Sequence, residues 1–121
     1  MPMPQIREDE TFVPVVRFEV EPENQAALLR VIVGEIERWI CKLEGFESAT
    51  VHASPDGVHV LNYAQWSSQA RFQDFARRAE SENLDTALHR VPLIGGPHAV
   101  AYRVVRSIDA NCPDYDGEKS R

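Results

Sequence analysis

The order of strand-like and helix-like periods along the chain predicts an α+β fold of βαββαβ order, an antiparallel sheet with its helices on one face. Three observations carry that prediction. A long helical stripe separates the first two β-like runs. A Ser-Pro-Asp-Gly turn folds the second and third runs back on each other as a hairpin. The chain of 121 residues has room for one core and no separate cofactor domain.

The first strand is Thr11 to Val20, β-branched and aromatic, with Val16, Phe18 and Val20 on one face and Arg17 and Glu19 on the other. Pro14 lacks a ladder donor, which predicts a strand start, an edge or a bulge there. Pro22 and Glu23 then open a helix, since proline suits the first turn and an acid suits the positive end of the dipole. The stripe Leu28, Leu29, Ile32, Val33, Ile36, Trp39, Ile40 and Leu43 extends it to about Leu43, with Arg30, Glu35, Glu37 and Arg38 left to water and Gly45 as the stop. Phe46 to Ser54 is the second strand. Ser54-Pro55-Asp56-Gly57 is the turn, and Val58 to Trp66 returns as the third strand. Ser67 and Ser68 cap a helix over Ser68 to Glu80 with Phe72, Phe75, Ala76 and Ala79 on its inner face. A short helical piece around Leu84 to Arg90, a Pro92 to Pro97 loop and a last strand over Ala99 to Ile108 complete the domain.

This is the ferredoxin-like plan. It assigns residues 11–108 to the domain, 1–10 to a flexible N-terminal extension and 109–121 to a flexible tail. One sheet face remains uncovered by helices. Leu61 and Tyr63 point there and are too apolar for open water, which predicts a homodimer through that face.

Composition narrows the function. The formal charge is −6, with 13 Lys and Arg against 19 Asp and Glu, and Arg77-Arg78 is the longest basic run, a pattern that argues against nucleic acid. The two extensions hold −2 each, leaving −2 on the domain. No apolar run nears the roughly 18 residues of a membrane span, and the N-terminus lacks the signal-peptide pattern; both predict a cytoplasmic protein. Cys41 and Cys112 read as free thiols, the first in a packing role.

Phosphate, metal and nucleophile chemistry find no motif. Gly95-Gly96 is not followed by Lys-Ser or Lys-Thr, and the histidines 52, 59, 89 and 98 lack a second ligand at helical spacing, so no metal site is expected. The informative segment is Asn62-Tyr63-Ala64-Gln65-Trp66. Asn62 and Trp66 alternate onto one face with Val60 and Ala64. Under the helices, an amide and an indole both need hydrogen-bond partners. Two readings stand: a core aromatic with Asn62 bonding a strand end, or a pocket opened by small Ala64. His52 joins the pocket if its face of the second strand is the same one. Tyr63 and Tyr102 read as interface residues.

Pro22-Glu-Asn, Gly45-Phe46-Glu-Ser-Ala, His52-Ala-Ser-Pro-Asp-Gly57 and Asn62-Tyr-Ala-Gln-Trp66-Ser-Ser resemble the antibiotic biosynthesis monooxygenase family of dimeric α+β barrels. Within that family the likeness is to the small quinone-forming monooxygenases of aromatic polyketide tailoring. The resemblance implies oxidation of a polycyclic phenol or hydroquinone by O2 without a cofactor. It implies Asn62, Trp66 and His52 as catalytic residues, and a substrate-binding wall of Val60, Ala64, Phe72, Phe75 and Trp39. Phe72 stands where that group carries a tyrosine, and Asp85 or Thr86 where it carries an arginine. The fold also admits a non-catalytic or stress-related small-molecule binder, and a haem-binding or haem-degrading protein.

Overall fold

The computed structural model describes residues 11–111 and, over 79–82, the backbone alone. The expected extension over 1–10 and the tail from Cys112 onward lie outside the described residues. The elements are β1 (Phe12–Glu19), α1 (Pro22–Arg38), a 3-10 turn (Ile40–Lys42), β2 (Phe46–Ala53), β3 (His59–Trp66), α2 (Gln69–Ala76), α3 (Ala79–Leu88) and β4 (Gly95–Arg103). The strands form one antiparallel sheet in the order β2-β3-β1-β4. This is the ferredoxin-like arrangement that the sequence predicts. Among the described residues, no helix is long and apolar enough to cross a membrane.

Of the three expected settings for Pro14, the structure is nearest to the strand start: it is the third residue of β1, a central strand, opposite Ala101 of β4. The β1–β3 pairing links Phe12 to Trp66, lapses at Val13 and Pro14, and resumes at Val15 with Tyr63 in unchanged register. A gap in one ladder, near the start of the strand, thus accommodates the missing donor without an edge or a bulge.

The long helix stops sooner than its stripe suggests. α1 ends at Arg38, because Trp39 leaves helical geometry at φ −144° while its N–H still donates to the Glu35 carbonyl. The 3-10 turn that follows resets the phase. Ile40 is buried and Cys41 faces outward, its thiol near the Glu37 carbonyl at 3.6 Å, so the expected packing role for Cys41 is corrected. The helix expected over Ser68 to Glu80 ends sooner, at Ala76, and the short piece expected around Leu84 to Arg90 is the longer α3 from Ala79 to Leu88, the break falling where Arg78 takes an extended backbone at ψ 149°. Leu84 falls nine positions beyond Phe75, half a turn out of phase on a continuous helix. The break lets both side chains face the core. Ser68 caps α2 as expected, its hydroxyl accepting from the Arg71 N–H at 3.2 Å.

β4 begins four residues before the expected Ala99 and ends at Arg103. Gly95 already pairs with Glu19 across a register shift, and Arg103 is the partner of Phe12, the first residue of β1. The strand ends where its neighbour does.

Two buried clusters lie between sheet and helices. One gathers Phe18, Val20, Leu28, Ile32, Val60, Leu88 and Val91. The other gathers Ile40, Ala64 and Trp66, ringed by aromatic side chains.

Candidate active site

Between the two clusters the layer is hollow. A cavity of about 260 Å³ is lined from the sheet by Pro14, Val16, Asn62, Ala64 and Ala99, and from the helices by Ile32, Ile36, Phe72, Phe75 and Leu84, among others. The small side chains make the space. Ala49 of β2 pairs with Ala64, and Ala99 of β4 pairs with Val16, so short side chains lie across the sheet where longer ones would fill the layer.

Trp66 closes one end. It is 2% exposed and is held by three rings: Phe75 stacked at 5.2 Å, Phe46 edge-on at 5.4 Å and Phe72 edge-on at 5.8 Å. Phe12 packs on Phe72 at 5.2 Å. Offset and edge-on arrangements suit aromatic quadrupoles, so the indole plane is fixed before any ligand arrives.

Asn62 supplies the other polar group of the wall. Its position follows from register, since it lies between Val51 of β2 and Val16 of β1 on the helix-covered face. Its amide oxygen is buried without a hydrogen-bond partner among the described residues. A buried acceptor left open costs about 1–3 kcal/mol, a cost that a ligand hydroxyl at this position removes.

The expected site residues divide. Asn62, Ala64, Trp66, Phe72 and Phe75 come together on the cavity. His52 does not. It pairs with Leu61, and directly paired residues project to one face, so its imidazole lies on the outer face of the sheet and is exposed. The conditional placement of His52 beside Asn62 is thereby corrected; the neighbour of Asn62 is Val51. Val60 is packed in the first cluster at 1% exposed and is not part of the lining. Trp39 stands behind the wall. Its ring meets Phe75 at 5.7 Å, and its indole N–H donates to the Glu35 carboxylate at 2.8 Å.

Glu35, expected in water, is instead this buttress. Its carboxylate also accepts two hydrogen bonds from the Arg38 guanidinium, at 2.8 and 2.9 Å. Those bonds hold its carboxyl below the ordinary carboxylate range, against the opposing effect of burial and with further help from Trp39.

Sequence reasoning missed Pro14, Ala49, Pro97 and Ala99 as lining residues. Each is small or rigid and carries no chemistry of its own. The signal that finds them is cross-strand register, which one sequence does not display. Among the described residues no group of three or more His, Cys, Asp or Glu side chains is placed to hold a metal ion.

Comparison with known proteins agrees with this geometry. A model of the antibiotic biosynthesis monooxygenase family matches residues 11–86. Tetracenomycin-F1 monooxygenase of Streptomyces glaucescens is 35% identical over 97 residues, 80% of this chain and 84% of that protein. The ActVA-Orf6 monooxygenase of Streptomyces coelicolor, solved in complex with nanaomycin D, superposes with a TM-score of 0.76 at 40% identity over 83% of this chain and 92% of that one. SnoaB of Streptomyces nogalater, a cofactor-independent oxygenase, shares the fold at a TM-score of 0.64 and 15% identity, over 81% of this chain and 96% of its own. A matched family model over more than half the chain, a relative at 35% identity and an apolar cavity between sheet and helices converge, and the chain is an enzyme of the antibiotic biosynthesis monooxygenase family.

Proposed function

We propose that the protein oxidises a polycyclic phenol or hydroquinone to a quinone with O2 and no cofactor, in aromatic polyketide or related secondary metabolism. The observation that carries this reading is the unpartnered Asn62 amide oxygen in the otherwise hydrocarbon cavity that the Trp66 indole also lines. A planar aromatic fits such walls, and its hydroxyl supplies the donor that Asn62 lacks. The tetracenomycin and ActVA-Orf6 relatives support the substrate class.

In this reading the electrons come from the substrate. The phenol releases its proton to solvent, to be recovered when water leaves, the anion passes one electron to O2, and the two radicals join at the ring carbon para to the oxygen, which bears hydrogen. The resulting peroxide breaks its O–O bond. One oxygen stays on the ring as the second quinone carbonyl, and the other leaves as water with the two hydrogens lost from the O–H and the C–H. The Asn62 amide N–H and the Trp66 indole N–H stabilise negative charge on oxygen as it develops, an effect that a dry cavity amplifies. The fixed hydrocarbon walls keep bulk water from the peroxide.

The test is oxygen uptake by the purified, metal-free protein with a tricyclic phenol whose para carbon bears hydrogen, the quinone product carrying one atom of labelled oxygen from O2. Turnover is expected, and Trp66→Phe combined with Asn62→Ala slows it at least about 100-fold. An unslowed double variant removes these residues from the mechanism. Binding of the same compounds without oxygen uptake would leave a small-molecule binder of the same fold. Haem is a poorer fit, because the described lining offers no imidazole, thiolate or phenol to the iron.

The working unit in this reading is a cytoplasmic homodimer. The outer sheet face carries half-buried Val15, Leu61 and Tyr63 beside exposed Val100 and Tyr102. A second copy covers such a face by two-fold pairing.

A further inference from the structure

One ionised group stands close behind the cavity wall without lining it. The Glu35 side chain, in the last turn of α1, is only 15% exposed. An exposed i,i+3 pair such as Glu35 with Arg38 ordinarily contributes little. The bond to Trp39 is of another kind, because it fixes an aromatic side chain at the residue where the backbone leaves the helix, at φ −144°. Glu35 holds that residue twice: its carbonyl accepts the Trp39 backbone N–H at 3.2 Å, and its carboxylate accepts the indole N–H at 2.8 Å. Arg38, with a smaller attraction from Arg90 beyond the end of α3, keeps the carboxyl below the ordinary carboxylate range, so the acceptor is charged at neutral pH. Three lining residues depend on where Trp39 sits. Ile36 precedes it by one turn, and Ile40 follows it directly and is turned into the core by the change of phase. Phe75 meets the Trp39 ring at 5.7 Å and stacks on Trp66 at 5.2 Å. The helix that carries Phe75, α2, has eight residues and none is fully buried, so ring contacts weigh heavily in setting its place.

We propose that Glu35 is a positioning residue for the oxidation: by fixing the Trp39 indole it sets Phe75, and through Phe75 the plane of the Trp66 indole. The inference rests on the oxygenase reading for the role of Trp66 and goes beyond it in naming a residue outside the lining. A hydrogen bond to a carboxylate is shorter and stronger than a neutral one and has a direction. Ring-on-ring contacts tolerate a range of offsets. The bond therefore supplies the fixed point from which the row of rings takes its place. A displacement of about 1 Å caused by a change remote from the chemistry can cost about 100-fold in rate, so a carboxylate at the far end of that row can govern turnover without touching the substrate.

The experiment compares the full chain with Glu35→Ala, Trp39→Phe and the double variant at neutral pH, at a temperature where far-ultraviolet circular dichroism shows each of them folded. The probe is a tricyclic phenol whose para carbon bears hydrogen, with turnover read by oxygen uptake and affinity by calorimetry. Each single variant is expected to lose at least about 10-fold in kcat/KM. The double variant is expected to stay within about threefold of the slower single one, because removing either partner breaks the same link. Glu35→Gln keeps a carbonyl for the indole N–H and is expected to recover most of the rate although it gives up the Arg38 ion pair. Near-ultraviolet circular dichroism of Glu35→Ala, which retains both tryptophans, is expected to lose intensity as the rings loosen, and that of Glu35→Gln to keep it. Losses that multiply in the double variant overturn the proposal, and so does a parental kcat/KM in either single variant. Equal loss in Glu35→Gln and Glu35→Ala also overturns it, by assigning the effect to the ion pair. If the parent binds the phenol without oxygen uptake, the oxygenase reading falls, and the same comparison made on affinity upholds or overturns the positioning. If the parent does not bind it, the oxygenase reading falls again, and an unchanged near-ultraviolet spectrum in Glu35→Ala overturns the positioning while a weakened one upholds it.

Discussion

Replacing Asn62 with leucine separates what the amide does for the fold from what it does for the reaction. Leucine resembles asparagine in size and removes an amide whose oxygen is buried with no partner among the described residues. The desolvation penalty of such a group is about 1–3 kcal/mol, and leucine adds apolar contact with Val16 and Val51, the flanking residues on this face. Near 100 ordered residues, 1 kcal/mol moves the melting temperature by about 4 °C, so Asn62→Leu is expected to melt roughly 4–12 °C above the parent. Oxygen uptake is expected to fall at least about 100-fold, because the variant has neither the acceptor for the phenol nor the donor for its anion. Calorimetry and an oxygen electrode on the same preparation give both numbers. A melting temperature several degrees below the parent would refute the reasoning, since it means that the amide is satisfied within the unliganded protein. Retained turnover would refute the catalytic assignment and leave the stability argument intact.

Other perturbations probe the frame around the site. Ala64→Leu pushes a longer side chain into the hollow, so ligand binding is expected to be lost with the melting temperature held or raised, as fluorescence titration and calorimetry would show. Glu35→Gln is expected to be less stable than the parent at neutral pH. The Glu35 carboxyl is held low in the fold, so its contribution is present above the unfolded carboxyl's pKa and lost as pH falls through the folded one. The gap between parent and variant in thermal melts therefore closes in acid. Gly45→Ala should cost about 1–3 kcal/mol, because Gly45 has φ +94° and a Cβ there would collide with the Arg71 side chain; urea titration measures it. Light scattering at micromolar concentration is expected to find twice the 13.7 kDa chain mass, and a monomer would contradict pairing through the outer face.

The fold was largely legible because its signals are local. The Phe12 to Glu19 alternation, the α1 stripe and the Ser54 to Gly57 turn each stabilise one element in a few adjacent residues. Asn62 and Trp66 were legible as a pair for the same reason, since alternation within one strand places them on one face. His52 was not. Its side depends on the pairing with Leu61 and on the register shift between Phe46 and Ser48, a relation between strands that neither strand encodes alone. The α2–α3 break was expected between Glu80 and Leu84 and falls at Arg77 and Arg78 instead, because the need for Phe75 and Leu84 to face the same space, a tertiary demand, sets its place. Glu35 was assigned to water on type alone, and only the turn of Trp39 out of the helix brings the indole N–H to it.

The hollow between the two clusters has a consequence for how ligands can be found. The cavity of about 260 Å³ leaves its apolar lining without packing partners on one side, so a molecule that fits adds contacts to the core. Occupancy at 100 times Kd adds about 2.7 kcal/mol, a shift of roughly 10 °C. Melting temperature thus reports recognition before any chemistry occurs, and a library of aromatic metabolites can be ranked by heat alone.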